Sequence, residues 1–279
     1  MSGSSLIGLG VMNNLLGAVK NAVQGKGDKP FSVFTSIKEQ KLLNVPVAKP
    51  LLVVVLSGNK ALGVGREIMC QPGEFIFLSS SPAVDMRNIP KDNEYLALLI
   101  EFDYCDFDGI QINTSHQREY CIGEMTPTLE QCLQQFIESS QWAPKELWSI
   151  RKREIISLLC HQGHRDILSL LTGPKIKDQL HGMFVQGDFT ELSIVEICEQ
   201  LAMSESTLRR KLKIEGTSVQ EIKDQARLGL ALNLLQTTRY SIAIVAEKCG
   251  YQSQSRFTER FKVGFGLTPT ALRKTKMTD

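Results

Sequence analysis

Ser241 to Arg273 reads SIAIVAEKCGYQSQSRFTERFKVGFGLTPTALR, and its spacing decides the architecture. Ser241 has the chemistry of an N-cap, since its hydroxyl can take a free amide of the first helical turn. Ile242, Val245 and Ala246 follow at helical spacing, and Gly250 is the residue that ends such a helix without a Cβ clash. Ser253 caps a second helix, on which Phe257 and Phe261 stand four apart and share an inward face. Ser255, Arg256, Glu259 and Arg260 fall on the other faces. Two helices joined by a short glycine turn, the second with a polar, basic outer surface, make a helix-turn-helix pattern sized for a major groove. An ordinary helical hairpin with a solvated face shares the same local spacing.

More than spacing is present. Gly250-Tyr251, Ser253-Gln254-Ser255, Phe257, Arg260-Phe261-Lys262, Gly266, Thr268-Pro269 and Arg273 resemble the signature of AraC/XylS-type transcription regulators, with Tyr251 where Phe is usual. The resemblance implies a sequence-specific DNA-binding transcription regulator, most often an activator. Such a protein binds double-stranded promoter DNA, contacts RNA polymerase and works as a homodimer. It is controlled through its N-terminal domain by a small-molecule effector or by a regulatory protein.

Toward the N-terminus the helical pattern repeats. Gly173-Pro174 marks a boundary, and residues 174–279 form the expected double helix-turn-helix domain. Ile176, Leu180 and Phe184 describe its opening helix, and Ser193 to Glu196 is a capping box. Ala202-Met203 turns, and Ser204 caps STLRRKLK, with Leu208 and Leu212 inward. A second capping box, Ser218 to Glu221, opens a long helix to about Gln236 that joins the two modules. Arginine is the usual bidentate partner of guanine, and Ser and Gln reach several bases. The expected base-reading residues are therefore Ser206, Arg209 and Arg210 on one helix and Ser255, Arg256 and Glu259 on the other. Lys213, Arg260 and Lys262 are expected on phosphates or, for Arg260, in an internal ion pair.

Charge agrees with this division. Residues 175–279 carry 16 Lys+Arg against 12 Asp+Glu, and the rest of the chain 16 against 18, although the whole is only +2. The 279 residues and 42% hydrophobic content suit two cores, and the expected class is α+β. Seven cysteines without a CxxC pair suit a reducing cytoplasm.

Residues 1–29 read as an amphipathic segment and linker, with Met12, Leu15, Leu16, Val19 and Val23 on one face. Asn13, Asn14 and Lys20 interrupt it, so it fits neither a membrane span nor a secretory signal. Residues 30–115 change to strand character: Leu51–Leu56, Phe75–Leu78 and Tyr95–Phe102 are apolar runs. Ser57-Gly58-Asn59, Gln71-Pro72-Gly73-Glu74 and Ser81-Pro82 supply turn signals between them. Short strands so separated point to a small barrel or sandwich. Their order is similar to the cupin-like sensory domain of AraC-type regulators. Val53, Val55, Phe75, Phe77, Leu98 and Ile100 line the candidate apolar effector pocket, though an ordinary core reads the same way.

No histidine precedes His116, so a metal-dependent cupin enzyme lacks its ligands. His161 and His164 have no Cys or carboxylate at ligand spacing and read as a solvated helix end near Gly163, so neither metal nor cofactor is expected. No G-x-S-x-G, phosphate loop or paired acid signature suggests an enzyme. Residues 116–173 are helical, with Leu129, Cys132, Leu133, Phe136 and Ile137 inward on one helix. Leu147, Trp148, Ile150, Ile155, Leu158 and Leu159 are the apolar positions of the next. The family resemblance makes this segment the dimer contact; covering an open barrel face is the alternative.

Overall fold

The computed structural model describes residues 14–276 apart from 24, 26, 64–66, 80, 111–119, 171–174 and 188–191. The expected boundary at Gly173-Pro174 and the start of the amphipathic segment lie outside those residues. Residues 14–23 are helical (α1) and bury Leu15, Val19 and Ala22, while Val23 points outward.

Among the described residues nine strands follow: β1 (Ser32–Ser36), β2 (Gln40–Val47), β3 (Leu51–Ser57), β4 (Asn59–Leu62), β5 (Ile68–Cys70), β6 (Glu74–Leu78), β7 (Ser81–Ile89), β8 (Tyr95–Glu101) and β9 (Tyr120–Glu124). They form two antiparallel sheets, one ordered β1-β8-β3-β6-β9 and the other β2-β7-β4-β5. Among the described residues they do not close into the expected cupin-like barrel; two separate sheets, the sandwich alternative, are what the strands form. Gly58 and Gly73 make their turns at φ +72° and +90°. At Gly58 a Cβ would lie 2.6 Å from the Ile89 carbonyl oxygen, so only glycine fits. Ser81-Pro82, expected as a turn, instead begins β7, a strand position that proline tolerates.

The five-stranded sheet is apolar on both faces, which explains its unbroken hydrophobic runs. Leu52, Val54, Phe75, Phe77, Leu98 and Ile100 face a helical layer made by α1, α2 (Pro127–Ser139), α3 (Trp148–His161) and the 3-10 helix Arg165–Leu170. Thr126 caps α2, accepting from the Leu129 amide at 3.1 Å. On α3 the inward residues are Ile155, Ile156 and Leu159. Leu147 and Ile150, two of the apolar positions read for this helix, are exposed, because the inward stripe begins at Ile155.

Val53, Val55, Ile76, Leu78, Tyr95 and Ala97 face the other way, into a core shared with the second sheet and with the C-terminal helices. Those helices are α4 (Ile176–Gln186), α5 (Ile194–Gln200), α6 (Glu205–Ile214), α7 (Val219–Thr237), α8 (Ile242–Lys248), α9 (Gln254–Phe265) and α10 (Pro269–Arg273). Ala231, Leu232 and Leu235 of α7 and Phe257, Phe261 and Phe265 of α9 belong to this same cluster. The three rings are buried, with centroids 5.7 and 4.6 Å apart along the helix. Truncating one to alanine costs about 3–5 kcal/mol. A third core holds Leu180, Phe184, Ile197, Leu208, Leu212 and Ile222 of α4 to α7.

Polar contacts cross the same seam. Buried Gln40 on β2 donates to Thr275 Oγ1 at 2.7 Å and accepts from Asn88 at 2.9 Å and Gln236 at 3.0 Å. Beneath them, within the second sheet, Lys60 donates to Asn88 Oδ1 at 2.9 Å, and burial lowers its ammonium to about 8. Asn44 reaches the Gly264 carbonyl at 3.3 Å, and the Ile37 amide reaches the Thr275 carbonyl at 2.7 Å.

Candidate nucleic-acid interface

Each candidate reading helix is started by one serine hydroxyl. Ser204 accepts from the Thr207 amide at the head of α6, and Ser253 from the Arg256 amide at the head of α9, both at 3.3 Å. The turns before them need a left-handed residue. Gly250 serves one at φ +74°; Ala202 serves the other at φ +49°, where a Cβ carries a steric cost. The inward stripes, Leu208 with Leu212 and Phe257 with Phe261, fix which faces turn outward.

Ser206, Arg209, Arg210 and Lys213 are all exposed on α6, as are Ser255, Arg256, Glu259 and Lys262 on α9. Arg260 is exposed as well. Arg256 stands in the first turn of α9, Arg210 just past the middle of α6, and Lys213 near the end of that helix. Arg209 is not a bare cation: it pairs with Glu205 one turn earlier, Nη2 to Oε1 at 2.6 Å. Connecting helix α7 runs 19 residues, about 28 Å at 1.5 Å per residue, and contributes to the cores of both modules.

Residues 197–275 match the family model described as "Helix-turn-helix domain". They contain both turns, both outward helices and the connector between them. Residues 197–275 are an AraC-type helix-turn-helix domain. Around this AraC-type domain, the chain is 28% identical over 170 residues to the urease operon transcriptional activator of Escherichia coli, covering 57% of this chain and 56% of that one. It is 39% identical over 80 residues to the HTH-type transcriptional regulator GadX of E. coli K12, 29% of each chain. The chain thus spans about half the length of the first relative and under a third of the second. The likeness to ToxT of Vibrio cholerae reaches past the AraC-type domain. A fatty-acid-bound structure matches 91% of this chain and 98% of its own at TM-score 0.65 and 11% identity. A second ToxT structure gives TM-score 0.66 at 14% identity over 89% of this chain and 98% of its own. At those identities the agreement is one of fold.

The six residues expected to line an effector pocket do not share one. Val53 and Val55 belong to the core joined to the AraC-type domain, whereas Phe75, Phe77, Leu98 and Ile100 belong to the core under the helical layer. Strand alternation sends them to opposite faces of the sheet, and all six are buried in packed side chains. Among the described residues a sizeable cavity lies elsewhere. It measures about 860 Å3 and is bounded by α1, β1 and the C-terminal ends of α7 and α10. Lys20, Lys29, Arg239, Arg273 and Lys276 line it together with Val23, Phe31, Val33 and Leu96. Lys20 pairs with Glu94 at 2.7 Å. Arg273 donates to the Tyr240 carbonyl, but its Nε and Nη2 are buried without a hydrogen-bond partner. Burial, with Arg273 and Arg239 nearby, lowers the Lys276 ammonium to about 8.

The expectation that His164 lacks ligand companions is also corrected. Folding brings Cys121 and Asp166 to it, and one ligand atom of each lies within 4.8 Å of the others. All seven cysteines are free thiols, and no helix among the described residues is long and apolar enough to cross a membrane.

Proposed function

We propose that this chain is a cytoplasmic, non-enzymatic transcription regulator. It reads promoter DNA with α6 and α9, activates through RNA polymerase, and is controlled by an anionic amphiphile. The observation that carries DNA reading is the pair of capped helices with exposed basic outer faces on one continuous connector. Such helices can enter successive major grooves about one helical turn apart. Activation is supported by the likeness to a transcriptional activator.

Control is supported by the cavity. Its volume is in the range of small-ligand sites, and it combines several cations with an apolar wall. An anion would give Arg273 the partners that two of its nitrogens lack, while a hydrocarbon tail would cover Val23, Phe31 and Val33. The unsaturated fatty acid named for the ToxT structure is one molecule of that chemical class. An occupant there touches both the strand region and the ends of α7 and α10, so it has a direct route to the reading helices. Homodimerisation is supported by Trp142 and Ile150, which are 71% and 61% exposed on the α2–α3 side.

Selection of bound duplexes from a random pool with the full chain tests the DNA reading. Enrichment of two short sequences spaced about 10 base pairs apart is expected. Binding without any enriched sequence would defeat it.

A further inference from the structure

We propose that Cys121, His164 and Asp166 form a Zn2+ site at the seam between β9 and the helical layer. They come from three places in the fold. Cys121 lies opposite Phe77 in the edge strand β9, buried toward the helices. His164 follows α3 after Gly163, whose φ of +98° turns the chain back so that the His164 amide donates to the Leu159 carbonyl at 3.0 Å. Asp166 sits in the first turn of the 3-10 helix Arg165–Leu170.

Thiolate, imidazole nitrogen and carboxylate oxygen are the donor types that zinc takes. Cys121 Sγ already lies 3.3 Å from Asp166 Oδ1. Tetrahedral zinc at ordinary bond lengths holds sulfur and oxygen about 3.6 Å apart, so this pair is at ligand spacing. With all three atoms inside 4.8 Å, assembling the set takes a shift of about 1.5 Å at most. Charge also balances: Zn2+ displaces the thiol proton, and thiolate plus carboxylate neutralise the dication, which suits a half-buried position.

The surroundings hold the imidazole in place. The Phe75 ring meets His164 edge-on, centroids 5.0 Å apart at 82°. Gly123, two residues from Cys121 on the same strand face, leaves room for both; a Cβ there would lie 2.5 Å from His164 Cε1 and 2.4 Å from Phe75. Three protein donors leave the fourth position to water, the arrangement of an exchangeable site rather than a closed structural one.

The test uses the full chain, reduced and stripped with a chelator, then titrated with Zn2+ against a chromogenic competitor and separately with Co2+. One Zn2+ per chain is expected, and Co2+ should add a sulfur-to-cobalt charge-transfer band. Cys121→Ser should remove that band. Cys121→Ser, His164→Gln and Asp166→Asn should each weaken Zn2+ by more than the ~10–100-fold that loss of an outer-shell partner costs. His161→Gln and Cys105→Ser should bind as the parent does. As a readout that needs no variant, Zn2+ should protect one thiol from alkylation, mapped to the peptide containing Cys121. Absence of stoichiometric binding, a charge-transfer band that survives Cys121→Ser, or protection mapped to another cysteine would each overturn the site.

Discussion

Arg210 and Arg256 are the residues on which base reading turns. Both are exposed: Arg256 lies in the first turn of α9, the end that normally meets base edges, and Arg210 lies mid-helix on the outward face of α6, three residues before Lys213. Replacing either by alanine should cost about 1–3 kcal/mol on the selected site and relax preference at one or two base pairs. Lys213→Ala should weaken selected and random DNA alike and lower the salt slope by about one unit. Arg209→Ala should cost less than Arg210→Ala, because Glu205 already holds that guanidinium. Salt titrations and repeat selections on the four variants check this; uniform losses from Arg210→Ala and Arg256→Ala would reassign both to the backbone. A second residue-scale expectation concerns Lys60. Its folded value of about 8 lies below the ordinary 10.5, so below pH 8 the native state bears the full penalty of a buried ammonium. Stability from this group therefore rises between pH 8 and 10.5, by an amount on the order of 3 kcal/mol. Cys70 and Tyr95 oppose it, since burial pushes the thiol up to about 12 and the phenol upward too. The readout is thus the difference in melting temperature between parent and Lys60→Met, which should shift in the parent's favour across that window and stay flat below it.

At the level of elements, the two turns make opposite predictions from one cause. Gly250→Ala puts a Cβ at φ +74° and should lower stability by about 1 kcal/mol. Ala202→Gly removes one at φ +49° and should raise stability slightly, the relief being partly cancelled by a more flexible unfolded chain. Denaturant midpoints for the pair decide it; equal signs would mean the backbone does not hold its left-handed turns. These helices were legible in the sequence because their instructions are local: Ser204 and Ser253 cap, and Leu208, Leu212, Phe257 and Phe261 mark the inward stripe. Strands β3, β6 and β8 were legible for the same reason, as unbroken apolar runs. Which face of each strand meets which core was not, because neighbouring residues such as Phe75 and Ile76 are equally apolar and only pairing sorts them. Nor was the cavity, whose walls lie more than 200 positions apart at Lys29 and Arg239. Cys121 and His164 likewise meet only through the packing of β9 beside α3.

For the whole molecule, occupancy of the cavity should be visible as stability. A long-chain carboxylate should raise the melting temperature by mass action, and the matching neutral alcohol should not. Burial and the neighbouring Arg273 and Arg239 lower the Lys276 ammonium to about 8, and a bound anion raises that value. Affinity should therefore be level below pH 8 and fall above it by up to about tenfold per unit, measurable by calorimetry. Affinity indifferent to pH, or shared by the alcohol, would remove the cations from recognition. Ile150→Glu should shift a dimer to monomer in sedimentation without changing the melting of the monomer; a dimer that persists would place the contact elsewhere. One more consequence follows from the core that β2 and the second sheet share with α7 and α9. A cut in the chain before residue 175 is not a cut in the fold. Recombination that joined residues 175–276 to a foreign sensor would strip the cover from Leu232, Leu235 and Phe265 and lose Leu43 against Gly266. The heritable unit is then larger than the reading head: β2 must travel with α9, and lineages carrying this seam should exchange sensors rarely and diverge as whole chains.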